Sequence, residues 1–198
     1  MNLVLEHVEL PVRIRMERRM TDDELLQFCL ANEPARVERD ANGELIVMSP
    51  TFSEGGGIEG EVGGELFVWA RADGRGKYFG SNSGFTLPDT SVRAADAAWV
   101  SWKQWNALTA EQRNSFAPIC PEFVIEVRSA SDRLPSLREK MEAWIANGAE
   151  LAWLIDPERK AVEIYRPSEE PEVHEDPTSV QGTGCVRGFE LVMARVWG

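Results

Sequence analysis

Histidine is almost missing from this chain of 198 residues, which holds only His7 and His174. A Ser–His or Cys–His triad is therefore not expected, the more so because His174 sits in an acidic stretch that reads as a loop. Cysteine is scarce as well. Cys29, Cys120 and Cys185 are scattered with no C-x-x-C pair, which argues against a zinc site or a disulfide framework and fits a reducing compartment. No apolar run reaches membrane-spanning length, and the N-terminus carries acids and arginines where a signal peptide would need an apolar core. The expectation is a cytoplasmic protein with no membrane partner. Positive charge is also in deficit. A net charge of −12 opposes non-specific attraction to nucleic acid, since phosphate binding rests on Lys and Arg. Part of the excess lies in Glu169-Glu170-Pro171-Glu172-Val173-His174-Glu175-Asp176. Finally, Gly55-Gly56-Gly57 has no G-K-S/T after it, so it reads as a turn before a helix and not as a phosphate-cradling loop.

What is present suffices for a folded domain. Hydrophobic residues make up 43% of the chain, enough to build a core. The length suits one domain over 21–198 behind an N-terminal extension at 1–20. Thr21-Asp22-Asp23-Glu24 is a capping-box start for a short helix, and Asp40-Ala41-Asn42-Gly43 marks a hairpin turn between Val37–Arg39 and Glu44–Met48. Ile58, Val62, Leu66 and Trp69 have helical spacing, and Gly60, Gly63 and Gly64 in that helix suggest that another backbone packs close to it. Strands are expected at Lys77–Gly80, Gly84–Leu87, Glu150–Ile155 and Ala161–Tyr165. A helix is expected over Ser136–Asn147, stopped by Gly148.

The stretch Phe123-Val124-Ile125-Glu126-Val127-Arg128-Ser129 puts two charges inside a β-branched run that otherwise reads as a buried central strand. A buried carboxylate needs a partner or a metal. The run Ala94–Val100 carries the lone acid Asp96 in the same way. Two such acids on adjacent strands would make a cation site, and Mg²⁺ needs few hard oxygen ligands from protein. A structural ion pair of Asp96 and Glu126 with Arg128 is the competing reading. Lys140 lies at the border of its helix's apolar face and Glu61 at the border of the preceding helix's. Either Lys140 or Arg128 would serve as the cation near an attacking water, with Lys the better proton carrier.

The segments Ser49-Pro50-Thr51, Ser81-Asn82-Ser83-Gly84-Phe85, Phe116 to Ser129 and Trp153-Leu154-Ile155-Asp156-Pro157 occur here in an order that resembles the Uma family of candidate restriction endonucleases, within the PD-(D/E)XK nuclease superfamily. The resemblance runs over roughly residues 20 to 197. It implies an α/β, restriction-endonuclease-like mixed β-sheet flanked by helices, with accessory N-terminal and C-terminal β-hairpins. It further implies a Mg²⁺-dependent endonuclease, with Mn²⁺ as an alternative ion, acting on DNA as a homodimer. Asp96 matches the aspartate of "PD", Glu126 the "(D/E)" and Glu61 the helical glutamate that helps bind metal. Two departures stand out. Ala95 replaces the proline, and Arg128 occupies the lysine position, leaving Lys140 on the following helix as the implied replacement. A non-catalytic protein that keeps the nuclease fold for binding or assembly is the alternative, motivated by the charge and by Arg128. A hydrolase of small phosphoesters would also suit the acidity.

Overall fold

The computed structural model describes residues 10–33, 35–48 and 52–198. Ser49-Pro50-Thr51 and His7 lie outside the described residues. In chain order the elements begin β1 (Val12–Ile14), α1 (Asp22–Ala31), β2 (Arg36–Arg39), β3 (Leu45–Met48), α2 (Ser53–Asp73), β4 (Gly76–Gly80), β5 (Gly84–Thr86), β6 (Val92–Ala94) and β7 (Ala97–Ser101). They continue with α3 (Trp102–Asn106), α4 (Ala110–Arg113), β8 (Phe123–Val127), α5 (Leu134–Ala146), β9 (Leu151–Asp156), β10 (Ala161–Tyr165), β11 (Glu172–Glu175), β12 (Ser179–Gln181), β13 (Glu190–Val192) and α6 (Ala194–Trp197). Two compact units result: the described part of Met1–Thr51 with Gly84–Ala94 and Leu108–Ile119, and Phe52–Ser83 with Ala95–Ala107 and Cys120–Gly198.

In the first unit an antiparallel sheet has the order β1-β3-β2-β6-β5. Its strand β1 falls inside the stretch assigned to an N-terminal extension. The β2–β3 hairpin closes where Asp40 Oδ1 accepts from the N–H groups of Asn42 and Glu44, and Gly43 takes a φ of 86° that a side chain would resist. Helix α1 starts on the expected capping box: Thr21 Oγ1 accepts from Glu24 N–H while the Glu24 carboxylate accepts from Thr21 N–H. Its Leu25 and Phe28 pack against Leu45 and Val92.

The second unit is built on the six-stranded order β11-β10-β9-β8-β7-β4, in which only the central β8–β9 pair is parallel. A parallel pair needs a crossover, and α5 provides it. Because strand side chains alternate, Ile125, Val127, Trp153 and Ile155 face one side, where α2 buries Val62, Leu66 and Ala70 against them. Each Val, Leu or Ile side chain among these is worth roughly 1.5–3 kcal/mol when fully buried. Glu126 and Glu163 face the other side, where α5 lies.

Several expectations are corrected here. Helix α2 begins at Ser53, so the triple glycine is helical and not a turn. The apolar stripe on the α2 turns that follow outweighs a propensity cost of about 1 kcal/mol per glycine. Of the three glycines expected to meet a close backbone, Gly63 meets the Tyr78 hydroxyl, which a Cβ would approach to 2.5 Å, whereas Gly60 and Gly64 border open space. The strands expected at Lys77 and Gly84 both form, in different sheets. Residues 172–175 of the acidic stretch are no loop but the strand β11, at the sheet's edge beside β10.

Candidate active site

The site is assembled at the end of β8. The last β7–β8 register pair is Ala97 with Ile125, so the next outward-facing N–H of β8, that of Val127, has no strand partner on that side. Asp96, in the bend just before β7, fills the gap: its Oδ2 accepts from Val127 N–H at 2.8 Å. Asp96 is thereby fixed next to Glu126, its backbone out of the ladder and the residue 9% exposed.

Glu126 is 3% exposed and would be costly there without partners. Helix α5 supplies two. Lys140 Nζ lies 2.9 Å from Glu126 Oε1, and the indole Nε1–H of Trp144 donates to the same oxygen at 2.9 Å. Residues four apart on a helix share a face, which lets one carboxylate oxygen meet both. The Lys140 side chain keeps 14% of its surface in solvent, the long stem lying along the sheet.

Arg128 does something else. Its Nη1 lies 2.9 Å from Oδ2 of the fully buried Asp156 and 3.2 Å from Glu158. The expected ion pair of Arg128 with Asp96 and Glu126 is therefore corrected: β9 runs parallel to β8 and ends on Asp156 beside Arg128, which pairs there. Glu61 is exposed on α2. Among the described residues no three His, Cys, Asp or Glu side chains form a group that could hold a metal ion. The fold thus brings Asp96, Glu126 and Lys140 together and leaves Glu61 outside. As a donor set the two carboxylates fit Mg²⁺, which is held by one or two acids and keeps several waters.

A second buried acid on the same face escaped the sequence reading. Glu163 on β10 is 1% exposed and aligned with Glu126 through Leu154 on β9. It accepts from Arg138 Nε at 2.9 Å and from the Tyr165 hydroxyl at 2.8 Å, with Arg159 at 3.4 Å. Burial pushes its carboxyl up, but the hydrogen bonds from Arg138 and Tyr165 and the charges of Arg138 and Arg159 outweigh this and hold it below the ordinary range. Burial, then the neighbouring Glu163, pushes the Tyr165 hydroxyl well up. Trp144 was also missed as a site residue, although its spacing from Lys140 was the available signal.

Over residues 22–194 the chain matches the profile of the Uma2 family, described as "Putative restriction endonuclease". The chain belongs to the Uma2 family. The fold of this Uma2 protein has a solved counterpart from Anabaena variabilis, described as a "putative nuclease belonging to DUF820". The TM-score is 0.71 at 19% identity, over 90% of this chain and 97% of that one. At such identity the likeness is one of fold, and it bears out the restriction-endonuclease-like mixed α/β architecture read from the sequence. No curated protein matches the chain. Among the described residues no helix is long and apolar enough to cross a membrane.

Proposed function

We propose that this Uma2 protein is a Mg²⁺-dependent endonuclease, able to use Mn²⁺, that hydrolyses DNA phosphodiester bonds through a PD-(D/E)XK-type site and works as a homodimer. The observation that carries the reading is the Lys140 ammonium 2.9 Å from Glu126, with Asp96 bonded to the adjoining Val127 N–H. Asp96 and Glu126 would hold the ion. Once bound, it supplies a water of lowered pKa and positive charge beside the phosphate. Lys140 orients the nucleophile and moves a proton at Nζ, which a guanidinium does not do at ordinary pH. Glu61 is given an assisting role from the family resemblance alone. DNA as substrate and the dimer rest on the family. The family match over 22–194, which runs through both compact units, supports treating 21–198 as one functional domain.

The test incubates the purified protein with varied DNA and Mg²⁺ or Mn²⁺ beside the Asp96→Ala protein. Cleavage by the unsubstituted protein alone is expected, and equal cleavage by both rejects the site. A non-catalytic role that keeps the nuclease fold for binding or assembly draws on the absence of a three-donor group among the described residues and on the −12 charge. Calorimetry with Mn²⁺ separates the two, because a degenerate site has no Asp96-dependent binding.

A further inference from the structure

A tryptophan in a protein core is usually there for bulk, and this chain provides its own controls. The indole nitrogens of Trp99, Trp153 and Trp197 are buried without a hydrogen-bond partner, so this core tolerates unpaired indoles. Trp144, itself 0% exposed, differs: its Nε1–H is spent on Glu126 Oε1 at 2.9 Å. The same oxygen receives Lys140 from one helical turn earlier. Two donors of unlike character therefore meet one carboxylate oxygen. The ammonium is charged, flexible and partly solvated. The indole is neutral, rigid, walled in by the core and unable to exchange its partner for water.

We propose that Trp144 is a positioning residue for Glu126, fixing the orientation of its carboxylate independently of where the Lys140 side chain lies at any moment. A flexible lysine that also handles a proton cannot by itself hold a ligand's geometry. A metal-binding carboxylate needs an outer partner for that, and losing such partners generally costs ten- to hundredfold in metal affinity or activity. Trp144 meets the requirement from a helix anchored on the same sheet face a second time, through Arg138 and Glu163. The inference rests on the metal-site reading for its catalytic consequence, but the hydrogen bond itself does not.

The experiment has two arms. In metal-free protein, ¹H–¹⁵N spectra of the tryptophan indoles are compared with those of Glu126→Gln. The Trp144 indole proton should lie downfield of the others and move most on the substitution, with slowed solvent exchange lost. In the second arm Trp144→Phe, which removes the N–H and keeps most of the bulk, is set against Met141→Leu, which perturbs the same helix face and removes no hydrogen-bond donor. Trp144→Phe should weaken Mn²⁺ binding about ten- to hundredfold and lower kcat with little change in KM for DNA. Met141→Leu should change stability but neither of these. A Trp144 indole indifferent to Glu126→Gln overturns the proposal, as does Trp144→Phe binding Mn²⁺ like the unsubstituted protein. If the unsubstituted protein neither binds Mn²⁺ nor cleaves DNA, the nuclease reading falls, and the spectral arm still decides whether Trp144 holds Glu126.

Discussion

Glu126 and Glu163 are built almost alike and held very differently. Both sit in apolar strands, one on each side of β9 and aligned through Leu154, and both face α5. Glu163 is gripped by a permanently charged, two-pronged guanidinium, a tyrosine hydroxyl and a second arginine. Glu126 receives a lysine and a neutral indole on one oxygen. Arginine cannot give up its proton and locks a carboxylate into a fixed fork, whereas lysine can release one. The same strand motif is a clamp in one place and, on the proposed reading, the reaction centre in the other.

The contrast breaks most sharply on paired substitutions. Glu126→Gln should cut single-turnover cleavage by at least about a hundredfold, the upper range for loss of an outer metal partner alone. Glu163→Gln should leave kcat nearly unchanged. It should instead lower the unfolding free energy, measured by denaturant titration, by about 2 kcal/mol. That lies below the roughly 3–5 kcal/mol of a fully buried pair because Arg138 and Arg159 keep access to water. Equal loss of cleavage in both variants would erase the distinction.

A finer test uses acid. The folded-state pKa of Glu163 is lowered, so its contribution to stability is complete above the unfolded carboxylate pKa and disappears as pH falls through the folded value. Unfolding curves of the unsubstituted and Glu163→Gln proteins should lie far apart at neutral pH and converge below the ordinary carboxylate range. A gap that persisted into strong acid would mean that the clamp does not depend on the charge of Glu163. The smallest effect is expected at Glu61. Glu61→Gln should reduce cleavage by less than about tenfold, since this acid is solvated on α2; a larger drop would give it the rank of Asp96.

Much of the fold was legible because its signals are local. A capping box, an Asn-Gly turn and an α5 that ends before Gly148 are set by neighbours in sequence, and each appears where expected. The start of α2 was not, because propensity counts glycine against a helix that packing of its later turns sustains. For the site, an acid in a β-branched run singled out Glu126. The segment Ala161-Val162-Glu163-Ile164-Tyr165 carries the same signal. It passed unnoticed because nothing local says that Arg138, on the far side of β9 in sequence, will reach it. Likewise the interval from Glu126 to Arg128 suggested a pair, yet the parallel neighbour strand delivers Asp156 to that arginine.

The acidic segment that forms β11 also has a consequence for how copies of this chain meet. An outermost strand exposes unpaired backbone groups that a second chain can zip onto, the first step toward fibrous aggregates. Here a newcomer would have to line up against Glu172 and Glu175, already engaged by Arg166 and Arg159. Charged side chains on an edge strand disfavour its pairing with another strand.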